Sequence, residues 1–103
     1  MTHSEAVKMI RGKTNRESRK VGNNTYARIL ENGDVAIRLH HTDVVTINPD
    51  NIITLKTGGW QTSTTKDRIN QYSPVRVYQE KYQWFVTIDG KEYPFVEGMV
   101  VQA

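Results

Sequence analysis

Residues 26–40 read YARILENGDVAIRLH, and the period of this stretch decides the fold class. Val35, Ile37 and Leu39 alternate with Ala36, Arg38 and His40, the two-residue period of a strand with one buried face. YARILE is a second strand before it. Asn32-Gly33 between them is the strongest short hairpin signal in the chain, because both residues tolerate positive φ.

The same grammar continues outward. HTD is a turn, VVTI a strand, and Pro49-Asp50-Asn51 another turn. IITLKT is a strand ended by Gly58-Gly59, and Trp60 to Ser63 reads as a further one. KDRINQY, residues 66–72, has the spacing of a short helix, and Pro74 ends it. VRVYQE and QWFVTI form a second hairpin around Glu80-Lys81-Tyr82, and Asp89-Gly90 turns into EYPFV. Pro94 marks that run as an edge strand, and MVVQ after Gly98 closes the sheet. Seven to nine short strands with a turn signal every seven to ten residues predict a mainly β fold. The expected form is a small antiparallel sandwich or barrel-like meander.

The N-terminus reads differently. Thr2 and Glu5 fit a capping box, and Ala6, Val7, Met9 and Ile10 form an apolar stripe that Gly12 ends. A short helix over 3–11 follows. Residues 12–24, GKTNRESRKVGNN, carry one strongly apolar residue, Val21, and are expected as a basic helical turn plus loop, or as a flexible arm. The division is therefore residues 1–24, short helix plus basic arm, and 25–103, antiparallel β domain.

A chain of 103 residues suits one domain, and an oligomer would add to its modest stability. The absence of cysteine excludes disulfides and thiolate metal sites. MTHSEAVKMIRGK lacks an apolar stretch of signal-peptide length, and no apolar run reaches membrane-spanning length. A cytoplasmic protein without a membrane partner is expected. The net charge is +3. Residues 1–20 hold six basic residues against Glu5 and Glu17, so the excess positive charge lies in the N-terminal fifth.

GGWQTSTTKDRIN, residues 58–70, admits two readings. In the structural one the glycines supply a turn or bulge, Trp60 anchors the core, Thr64 caps a helix with Asp67 completing the box, and Ile69 and Tyr72 face inward. In the other, Thr64, Thr65, Lys66 and Arg68 cradle a phosphate at a helix N-terminus. The stretch lacks the GxxxxGK[ST] spacing of a P-loop. The basic segment gives a nucleic-acid candidate: Lys13, Arg16, Arg19 and Lys20, of which Lys13, Arg16 and Lys20 share a face if helical. Tyr26, Tyr78, Tyr82 and Trp84 would stack on bases if exposed. His40-His41-x-Asp43 reads as turn residues, with Asp43 in a local Asx hydrogen bond, rather than as a metal site. No nucleophile elbow or HExxH is present, so no catalytic residue, metal or cofactor is assigned.

The span from Asn23 to Asn70 resembles a family of small bacteriophage and prophage proteins. The shared pattern is an [VI]-A-[VI]-R-L-H-x-T-D hairpin followed by L-x-[ST]-G-G-W-x-T-x-T-T-K-x-R-[IL]-N. Gly33, Val35 to His40, Thr42 to Thr46 and Thr54 to Asn70 fit it, with Asn32 replacing the usual Asp. The resemblance brings no catalytic residue. It implies a phage protein working in the infected cell, with a non-catalytic binding module acting on a host protein as the leading expectation. Nucleic-acid binding through the basic segment and nucleotide binding through the glycine loop are the alternatives.

Overall fold

The computed structural model describes residues 1–102. α1 (His3–Arg11) is followed by β1 (Ser18–Gly22), β2 (Thr25–Ile29), β3 (Val35–Leu39), β4 (Thr42–Ile47) and β5 (Ile52–Leu55). Then come α2 (Ser63–Tyr72), β6 (Arg76–Glu80), β7 (Gln83–Ile88), β8 (Lys91–Pro94) and β9 (Met99–Gln102). The fold is mainly β, as the alternation predicts. Two antiparallel sheets are present, six strands in the order β1-β2-β3-β4-β5-β9 and three in the order β6-β7-β8.

Strand register sorts the large sheet into two faces. Thr25, Ala27, Val35, Ile37, Leu39, Val45, Ile47, Ile53, Leu55 and Val101 line one face, and all are buried. Onto it pack Ala6 and Ile10 of α1, Ile69 and Tyr72 of α2, and Val77, Trp84 and Val86 of the small sheet, in one core. Val44 is the extra residue of a bulge in β4, where Ile37 pairs with Val45 but Arg38 pairs with Asp43. A bulge inserts one residue and bends the strand, so Val44 and Val45 are both buried.

α1 forms as expected: Thr2 Oγ1 accepts from Glu5 N–H at 3.2 Å and Glu5 Oε1 accepts from Thr2 N–H at 2.8 Å. The β2–β3 hairpin closes with a longer loop than Asn32-Gly33 alone. Leu30 N–H donates to Asp34 O and Gly33 N–H to Leu30 O, with Gly33 at φ +91°. This is a three-residue loop whose glycine absorbs the extra twist. Pro94 lies in β8, an edge strand, where its missing N–H costs no ladder bond.

Three expectations are corrected. Residues 18–22 are neither helix nor arm. They form β1, paired antiparallel with β2 across the expected boundary at residue 24. Trp60 to Ser63 is not a strand, because the chain leaves β5 and enters α2 without further pairing. α2 begins at Ser63, not Lys66, and its N-cap is Thr62 rather than Thr64, with Thr65 N–H donating to Thr62 Oγ1 at 3.2 Å.

Candidate functional site

The β3–β4 turn and the segment joining β5 to α2 face each other across a cleft of about 480 Å³. Leu39, His40, His41, Thr42 and Val44 form one wall, and Thr57, Trp60, Thr62, Thr64 and Thr65 the other. The volume is that of a ligand-sized site, ~300–1,000 Å³. Trp60 stands at this cleft with 69% of its surface exposed. It was expected as a core anchor. The core anchor among the tryptophans is Trp84, at 4%, packed edge-on against Phe95.

Backbone chemistry fixes the wall that carries Trp60. Gly58 sits at φ +64°, and a Cβ there would overlap the Thr42 side chain. Glycine is therefore required twice, for the dihedral and for the approach of the two walls. The turn holds an internal anion. Glu97 accepts from Thr57 N–H at 2.9 Å, Thr57 Oγ1 at 2.9 Å and Gly58 N–H at 2.8 Å. Burial by itself raises the Glu97 carboxyl. The bonds from Thr57 and Gly58, with the nearby charge of Lys56, outweigh that and hold it below the ordinary carboxylate range. The glycine turn is an anion nest, and the chain fills it with its own carboxylate.

The four residues of the phosphate reading do not converge. Thr64 lines the cleft. Thr65 is buried, with its hydroxyl bonded to that of Thr62 at 3.1 Å. Lys66 lies over the Trp84 ring, 5.6 Å from its centroid, and bonds Gln79. Arg68 donates from Nε to Thr25 Oγ1 at 2.8 Å and pairs with Asp67. Asp67 thus serves the arginine next to it rather than a capping box.

The basic segment is also divided. Arg16 Nε donates to Ile10 O at 2.7 Å and an Arg19 terminal nitrogen to Met9 O at 2.9 Å. Both satisfy carbonyls at the C-terminal end of α1, where cations are favoured by the helix dipole. Lys13 is exposed in the connection after α1. Lys20 is exposed in β1, opposite Tyr26. The face shared by Lys13, Arg16 and Lys20 required a helix, and the chain is not helical there.

His40 and His41 are turn residues, His40 at φ +55°. His3 lies at the other end of β3, bonded to Gly33 O at 2.6 Å. Among the described residues no three His, Asp or Glu side chains are grouped to hold a metal. Among the described residues Asp43 makes no local Asx bond. It pairs with Arg28 across the sheet at 3.0 Å. Of the four aromatics expected to stack, Tyr26 and Tyr82 are exposed, Trp84 is buried, and Tyr78 stacks on Phe85 at 5.8 Å.

Sequence reasoning missed Trp60 as a surface group. The available signal was negative: alternation stops at Gly58-Gly59, and polar residues surround the indole in QTST.

The fold and cleft define a small two-sheet β module with an indole at the mouth of a mostly apolar cleft. Residues 2–102 match the family described as Kyanoviridae Gp96 protein, and the chain belongs to that phage family. The phage origin implied by the resemblance therefore holds across almost the whole chain. No curated protein and no solved structure matches it.

Proposed function

We propose that this phage protein is a non-catalytic binding module that acts inside the bacterial host cell, holding an apolar side chain of a host protein in the cleft beside Trp60. The observation that carries this reading is the exposure of Trp60 at the mouth of a cleft built from two distant segments, 39–44 and 57–65. A large, rigid aromatic beside an apolar recess is the composition of an interface hot spot, where truncation costs about 2 kcal/mol or more. The lining favours a protein side chain over a nucleotide. Lys66 and Arg68 do not line the cleft and are engaged by Trp84 and Thr25, and Glu97 already occupies the glycine turn.

The test is capture from nuclease-treated host lysate by three tagged proteins: wild type, Trp60→Ala, and Tyr82→Ala. Tyr82, 95% exposed at the β6–β7 turn, controls for loss of any surface aromatic. Wild type and Tyr82→Ala should retain the same host protein, and Trp60→Ala should hold it about 30-fold more weakly. Equal capture by all three, or no specific capture, would remove the basis for this reading.

A further inference from the structure

The large sheet has a second face that neither helix nor the small sheet covers. Register places two cross-strand rows on it. Lys20, Tyr26, Arg38 and Asp43 stand in one row, and Ser18, Arg28, Ala36 and Thr46 in the next. Neighbours in a row are about 5 Å apart. Tyr26 is 47% exposed and sits between Lys20 and Arg38. Ala36 is fully buried although it lies on this face, consistent with the long stems of flanking arginines lying over it.

The charge on these rows is unbalanced. Lys20, Arg28 and Arg38 face one carboxylate among the described residues, Asp43, which is paired with Arg28. Arg38 takes part in none of the three ion pairs among the described residues. Arg38 is half-buried on this face with its charge unmatched by any carboxylate of the described residues, so its guanidinium is available to an anion that approaches from solvent.

We propose that this open face binds single-stranded nucleic acid, with Lys20, Arg28 and Arg38 contacting phosphates and Tyr26 stacking on a base. The position of the ring selects this occupant over an acidic peptide. Carboxylates would use the cations alone and leave the tyrosine idle, whereas a base–phosphate chain uses both in alternation. This surface lies on the opposite side of the sheet from the Trp60 cleft, so the two proposals stand or fall separately.

Fluorescence anisotropy of a labelled dT12 or rU12 oligonucleotide with the full chain tests it. Three phosphate contacts should give a log–log salt slope of about −2, or a roughly 20-fold loss of affinity between 50 and 200 mM salt. Arg38→Gln should weaken binding and reduce the slope by about 0.7. Tyr26→Ala should weaken it about fivefold or more with the slope unchanged, and Tyr26→Phe should restore it. Trp60→Ala should bind as wild type does. The proposal is overturned by no binding at 50 mM salt, by binding indifferent to both Tyr26→Ala and Arg38→Gln, or by an oligoglutamate peptide that competes as well as unlabelled oligonucleotide.

Discussion

At the scale of single residues, Gly58 and Glu97 set the geometry of the cleft. Gly58→Ala meets both a positive φ and the Thr42 side chain. Left-handed strain in a non-glycine residue costs about 1–3 kcal/mol, and the overlap adds to it. We expect a loss of about 2 kcal/mol or more, read as a lower denaturation midpoint in urea. Glu97 gives a pH dependence with a definite sign. Its carboxyl in the folded protein lies below the ordinary value of 4.5, so its stabilisation is full above that value. It is lost as pH falls through the lower folded value. Glu97→Gln should therefore flatten part of the acid limb of stability below about pH 4.5 and leave the shape of the curve near neutrality unchanged. An unaltered acid limb in the variant would show that the carboxylate is not held by the Thr57–Gly58 turn. The turn at Gly58 was legible from the paired glycines, but its approach to Thr42 and the role of Glu97 were not. Glu97 meets Thr57 across 40 positions, and no local pattern announces such a pair.

At the scale of elements, the legibility of each piece followed from how many of its faces are buried. β3 was readable because Val35, Ile37 and Leu39 alternate along a half-covered strand. β1 was not, because SRKVG is an edge strand with three exposed residues and Val21 as its one large apolar side chain. Edge strands carry charge to discourage pairing with other chains, and that charge made the segment look like an arm. The start of α2 was misplaced for a different reason. TSTT offers several equivalent caps, and the choice depends on which threonine the core swallows. Thr65 is 2% exposed, and Thr62, three residues before it, accepts its N–H as the cap. Asn70 joins α2 to β6 by a pair of bonds, from its Nδ2 to Val77 O at 2.9 Å and from Val77 N–H to its Oδ1 at 2.6 Å. Asn70→Ala strands both backbone groups of a buried residue, at about 1–3 kcal/mol for each unsatisfied group. The expected thermal shift is a fall of several degrees, and a variant within one degree of wild type would contradict the pairing.

At the scale of the molecule, the helix and strands of the N-terminus belong to the same core as the rest. Ala6 and Ile10 are fully buried against the large sheet, and β1 supplies one of its edges. A chain beginning at Asn23 loses that helix and strand and uncovers the face around Ala27, Val35 and Ile37. Truncating Ile10 alone is expected to cost about 2–5 kcal/mol, against a typical total of about 5–15. We expect the shortened chain to show no cooperative thermal transition, and a sharp transition near that of the full chain would mean that residues 1–22 are dispensable. The separation into arm and β domain suggested by composition reflects where the charge sits, not where the packing ends. The Trp60 cleft and the basic face with Tyr26 occupy opposite sides of the large sheet. The sheet thereby offers two surfaces of different chemistry on one frame.

The most direct test of the proposed function is collisional quenching of Trp60 by iodide in a Trp84→Phe background, in which Trp60 is the sole indole. In the free protein quenching should be strong, because the ring is exposed. On addition of the captured host protein, itself made free of tryptophan emission, quenching should fall severalfold as the indole is covered. Quenching that is equally strong in the complex would contradict the claim that Trp60 and its cleft are the binding surface.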